Sequence, residues 1–133
     1  MKRLTLVKSK SGIYMPVTTK KASEMLVKIE NATLGLIYTF LERDGVILVP
    51  NLILDWVDSD EDWMGTNVCF LKKEGDKIVL GRDNDEDEDF LFSTSRNNFI
   101  TMVKKWLEVI KMEPKKITIS LYDDGRVEIK PID

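Results

Sequence analysis

The sequence contains no histidine and a single cysteine, Cys69. Without histidine the chain lacks the commonest general base and the commonest neutral metal ligand. Ser-His-Asp and Cys-His nucleophilic arrangements are therefore excluded. A zinc site needs several Cys or His ligands, and one thiol does not supply it. The same lone thiol closes no disulfide within the chain, which suits a reducing compartment. Glycine is sparse and scattered, seven residues in all. None is arranged as G-x-x-x-x-G-K-[ST] or G-x-G-x-x-G, so phosphate-cradling loops are missing too. The longest apolar stretch, residues 46–54, is broken by Pro50 and Asn51 and falls well short of the ~20 residues of a membrane span. Lys8 interrupts the first apolar run too early for a secretory signal. These absences lead us to expect a cytoplasmic protein with no cofactor and no catalytic role.

What is present is enough for one core. The chain has 133 residues, 43% of them hydrophobic and 32% charged, which argues against disorder and for a single domain over residues 1–133. The net charge of −3 hides a strong asymmetry. Residues 1–54 carry 8 basic and 4 acidic groups, and residues 90–133 carry 8 and 6. Residues 55–89 carry 4 basic and 13 acidic groups, a net charge of −9. Lysines and arginines gather near the N-terminus and around the last helical stretch. The sequence pI of about 5.1 nevertheless weighs against direct nucleic-acid binding.

The periodicities predict a mixture of hairpins and helices. Residues 4–8 and 13–17 flank a Ser9-Lys10-Ser11-Gly12 turn, a β-hairpin. Thr18 or Thr19 caps a helix whose apolar face is Ala22, Met25, Leu26 and Ile29. Residues 34–43 fit helical spacing (Leu34, Ile37, Tyr38, Leu41) and strand alternation (Leu34, Leu36, Tyr38, Phe40) equally. We take them as a second helix, followed after Asp44-Gly45 by a strand through β-branched Val46, Ile47 and Val49. Residues 67–73 and 77–80 form a hairpin about Glu74-Gly75-Asp76, and Phe90-Leu91-Phe92 a short strand. Ser95 caps a helix with Phe99, Met102, Val103, Trp106, Leu107 and Ile110 on one face, stopped by Pro114. Ile117, Ile119 and Leu121 alternate, Asp124-Gly125 turns, and Val127 and Ile129 alternate back. The expected fold class is α+β, mainly an antiparallel sheet of hairpins with two or three helices on one face.

The acidity falls in two runs. The first holds Asp55, Trp56, Asp58, Asp60, Glu61, Asp62 and Trp63. The second is Asp83, Asp85, Glu86, Asp87, Glu88 and Asp89, interrupted only by Asn84. Either run is explained by a solvated loop. Both match the start of a calcium-binding loop, D-x-[DN]-x-[DN]. However, the sixth positions hold Trp63 and Glu88 where glycine is needed, and the twelfth hold Cys69 and Thr94 where glutamate is needed. An EF-hand is rejected. Carboxylate-only catalysis on a divalent metal remains as an alternative, but it needs acids fixed on rigid elements in a cleft. The third reading is a recognition surface. Crowded carboxylates repel one another unless a basic partner offsets them, and they steer such a partner in. Tryptophan beside them suits an interface hot spot. Trp63 fits interface and core equally, whereas Trp106 belongs to a helix's apolar face.

The C-terminal third, NFITMVKKWLEVI, then Pro114, then ITISLYDDGRVEIKP, resembles the tail of several small bacterial immunity proteins that accompany polymorphic or contact-dependent toxins. The resemblance implies a cytoplasmic inhibitor that plugs a toxin's active site, often a nuclease; it carries over no binding residue. The expected partner is therefore a protein with a basic surface, bound by Trp56, Asp58, Asp60, Glu61, Asp62, Trp63 and the acids of residues 83–89. A DNA mimic from a phage or mobile element, blocking a host factor, shares the physics with a different target. Oligomeric state has no signature in the sequence.

Overall fold

The computed structural model describes residues 1–17, 32–82 and 91–132. The helix expected after Thr18 and Thr19 lies outside them.

The fold is α+β, built on two antiparallel four-stranded sheets. The first sheet starts with β1 (Lys2–Lys8) and β2 (Tyr14–Pro16). Leu4 and Leu6 point inward from β1. Gly12, at φ +89°, takes the left-handed backbone that the connecting turn requires. Next come α1 (Ala32–Tyr38), a π-helical turn (Thr39–Arg43), a single turn α2 (Gly45–Leu48) and α3 (Pro50–Val57). The second sheet follows as β3 (Trp63–Gly65), β4 (Cys69–Glu74), β5 (Lys77–Arg82) and β6 (Phe92–Ser95), in that spatial order. The long helix α4 (Arg96–Lys111) then leads to β7 (Lys116–Leu121) and β8 (Val127–Ile132). These last two strands complete the first sheet, whose order is β2-β1-β7-β8.

Helix α4 joins the two halves. Phe99, Met102, Val103, Trp106 and Val109 are buried on one face, at the three- and four-residue spacing of a helical stripe. That face touches β5 and β6 of one sheet and β8 of the other. The result is one contiguous core, with Trp106 fully buried at its centre. Tyr14 meets the Trp106 indole edge-on at 6.5 Å, and Phe40 lies 5.9 Å from Phe99. The helix starts where Ser95 Oγ accepts the Asn98 N–H at 3.1 Å. Ser95→Ala removes that cap and should cost about 1 kcal/mol, measured as a lower urea midpoint at unchanged m-value. The helix stops at Glu113, a non-glycine residue with φ +50°, just before Pro114.

One expectation is corrected. Residues 46–49 are not a strand. Gly45–Leu48 is a helical turn, and Pro50 opens α3, where its missing N–H costs nothing. Asp44-Gly45 joins the π-helical turn directly to this helical turn. A Cβ on Gly45 would lie 2.7 Å from Phe40 and 3.0 Å from Ile53 and Thr66. Close packing rather than backbone freedom demands glycine there, and tertiary packing overrides the β-propensity of the valines. The short strand expected at residues 90–92 is β6, set further along the chain at Phe92–Ser95. Pairing with Lys77–Leu80 places Phe92 and Thr94 inward. Among the described residues, no helix is long and apolar enough to cross a membrane.

Candidate acidic interface

The first acidic run is part helix and part loop. Helix α3 turns Ile53, Trp56 and Val57 inward and leaves Leu52 and Asp55 exposed. Trp56 is thus packed in the core, 6% exposed, and presents no open indole face to a partner. Leu48 and Leu52 are the most exposed apolar residues of α2 and α3, at 62% and 58%. Their i, i+4 spacing, out of phase with Ile53 and Val57, is the sequence signal that marks them.

The helix ends at Asp58, and the loop that follows is held by one residue of β4. Lys73 Nζ donates to the Trp56 carbonyl at 2.9 Å and to the Ser59 carbonyl at 2.5 Å. Its ammonium also lies 4.7 Å over the Trp56 ring. A cation at a helix C-terminus satisfies orphan carbonyls and the helix dipole together. The Lys73 backbone N–H donates to the Asp62 carbonyl at 2.9 Å, so the same residue fixes the far end of the loop. Within the loop, Ser59 Oγ donates to the Trp56 carbonyl at 2.7 Å and accepts the Glu61 N–H at 3.2 Å.

The carboxylates of this loop have unequal surroundings. Asp58 is ion-paired with Arg96, so its charge is partly met from within the chain. Asp60, Glu61 and Asp62 are exposed, and none forms an ion pair among the described residues. Trp63 follows directly and is 58% exposed. It begins β3, the edge strand of its sheet, opposite Lys72. Its indole lies over Gly65, where a Cβ would come within 2.8 Å of the ring. Gly65 therefore lets the tryptophan lie flat along its own strand.

Behind β3 the chain is tied by Asp44. This buried carboxylate accepts hydrogen bonds from the Thr66 hydroxyl and from the N–H groups of Asn67 (3.0 Å), Val68 (3.3 Å) and Cys69 (3.1 Å). Nothing in the sequence links Asp44 to residues 66–69, because the contact spans more than twenty positions.

Asp83, Asp85, Glu86, Asp87, Glu88 and Asp89 lie outside the described residues. The strands that flank them are informative. Asp62 is level with Lys73, which pairs with Ile78, whereas Arg82 pairs with Cys69. The two runs therefore join the sheet about four residues apart, roughly 13 Å along the strands, at opposite ends. Residues 58–63 form the acidic site whose geometry is defined. No known protein family, curated protein or solved structure matches the chain.

Proposed function

We propose that this chain is a non-catalytic inhibitor of the immunity or antitoxin type, acting in the cytoplasm, which docks residues 58–63 onto the basic active-site surface of a nuclease-type toxin. The observation that carries the reading is the set of three exposed carboxylates, Asp60, Glu61 and Asp62, without ion pairs among the described residues. They sit on a loop anchored at both ends by Lys73 and beside an exposed tryptophan. Such a loop has already lost most of the freedom that docking would remove, so less of the association free energy is spent on ordering. Trp63 supplies the kind of large, flat anchor that dominates interface energetics. The crowded negative charge would take the place of nucleic-acid phosphate in the partner's cleft and steer the encounter.

The test is stopped-flow mixing with the purified product of the adjacent gene. D60N/E61Q/D62N should slow association by about tenfold at low salt and flatten its salt dependence. Trp63→Ala should act mainly on dissociation. Wild-type association that ignores salt, or a triple variant that associates like wild type, would overturn the reading.

A further inference from the structure

A second site lies under the N-terminal hairpin. A cavity of about 430 Å³ is lined by Lys8 and Lys10 from the hairpin, Glu42 from the π-helical turn, Ile47 from α2, and Ile110 and Glu113 from the end of α4. The volume is within the range of small-molecule sites. None of these residues belongs to the acidic loop.

Glu42 is the anomaly. It is only 8% exposed, and its Oε2 has no hydrogen-bond partner. Its carboxyl accepts from the Tyr14 backbone N–H, and Arg43 is nearby, but burial outweighs both and lifts its pKa to about 7. Tyr14 is itself held in place, its hydroxyl donating to the Pro114 carbonyl at 2.6 Å. An acid in these surroundings is costly to keep. A glutamine or an apolar side chain would cost less, unless something enters the cavity and donates to the open oxygen.

The charges around the cavity indicate what that would be. Two carboxylates, Glu42 and Glu113, are set against two ammonium groups, Lys8 and Lys10, with Ile47 and Ile110 as apolar walls. A simple cation would meet the lysines, and a simple anion would meet the glutamates. We propose that this cavity binds a small zwitterion: its primary ammonium donates to Glu42 and Glu113, its anionic group pairs with Lys8 and Lys10, and a short methylene chain lies between the isoleucines. The ammonium would satisfy Oε2 and offset the charge of the ionised carboxylate at once, a charge-assisted bond in a partly dry site. Binding would then take up the ionised form of Glu42 and strengthen as pH rises through its titration.

The test uses the full chain and three probes: 6-aminohexanoate, hexylamine and hexanoate. Each is titrated by calorimetry and by amide chemical shifts at pH 8 and pH 6. We expect 6-aminohexanoate to bind at pH 8, shifting the amides of Tyr14, Glu42, Ile110 and Glu113. It should bind more weakly at pH 6. The two single-ended probes should bind at least about tenfold more weakly, and Glu42→Gln should cost the zwitterion at least about tenfold. Lys10→Gln, on the exposed turn, provides a reading independent of how the core tolerates Glu42→Gln: it should weaken 6-aminohexanoate several-fold and leave hexylamine unchanged. The proposal is overturned if none of the probes moves these amides at millimolar concentration. It is equally overturned if hexanoate binds as well as the zwitterion, or if both variants titrate like wild type.

Discussion

Asp44→Ala should lower the free energy of unfolding by about 3 kcal/mol, the size expected when a buried, multiply bonded carboxylate is removed. Asp44 is fully buried and gathers the Thr66 hydroxyl with the N–H groups of Asn67, Val68 and Cys69. Alanine leaves these donors facing a small void. Asn67 and Val68 are exposed enough for water to reach them, but Cys69 is buried. Its N–H would lose the 3.1 Å bond to the carboxylate, leaving the longer contact to Thr66 Oγ1 at 3.3 Å in place. Asp44→Asn should cost nearly as much, because one amide arm would point an N–H₂ group at N–H donors. Urea denaturation provides the measurement, with a lower midpoint and an unchanged m-value as the expected pattern. A loss below about 1 kcal/mol would mean that the 66–69 turn holds itself and that Asp44 contributes little. The same tie supports β3, so Trp63 should gain mobility in both variants.

Glu42→Gln should act in the opposite direction, and only at neutral to basic pH. Burial raises the Glu42 pKa from its ordinary 4.5 to about 7, against the opposing pull of the Tyr14 N–H and of Arg43. Between those two values the folded chain keeps a proton that the unfolded chain has lost. Stability therefore declines as pH rises from about 4.5 to about 7 and is level, in this contribution, above that. The shift corresponds to about 3 kcal/mol at most. Glutamine has no charge to desolvate. The variant should match wild type near pH 4 and exceed it by about 2–3 kcal/mol at pH 8. Unfolding curves at the two pH values, compared as a difference between the proteins, isolate this group from acids that titrate in both. Parallel pH profiles would refute the assignment. A residue whose replacement stabilises the fold is one kept for some other purpose, as a ligand-binding carboxylate would be.

The legible parts of this fold are those specified by neighbours in sequence. Among the described residues, Gly12, Gly75 and Gly125 adopt positive φ at tight turns, each between two strands with apolar residues. Helix α4 carries its own start at Ser95, its apolar stripe and its stop before Pro114. Where distant packing decides, the sequence is a poor guide. The valines at 46 and 49 favour a strand by intrinsic preference, yet Phe40, Ile53 and Thr66 close over Gly45 and residues Gly45–Leu48 form a helical turn. The three residues of β3 are too few to show an alternation.

The candidate site divides in the same way. The clustering of Asp58, Asp60, Glu61 and Asp62 is plain from composition. That Trp56 goes inward while Trp63 stays out was open to a helical reading, since Trp56 is three residues from Ile53 and adjoins Val57. Lys73, which anchors the loop, comes from a strand beyond it and has no local signature. Glu42 follows the apolar positions of α1 without any marker of its own, and its isolation is a property of the assembled core.

The pairing of β1 with β7 has a consequence for how the molecule is made. Val7 pairs with Lys116 and Lys2 with Leu121. At ribosomal rates, roughly 5–20 s separates the emergence of these partners. Until then the first hairpin is a two-stranded ribbon with an open edge, marginal in water on its own. Helix α4, which seals both sheets, is also made late. The nascent chain therefore exposes the apolar face of β1 until α4 and β7 have left the tunnel, and this interval is when it most needs a chaperone.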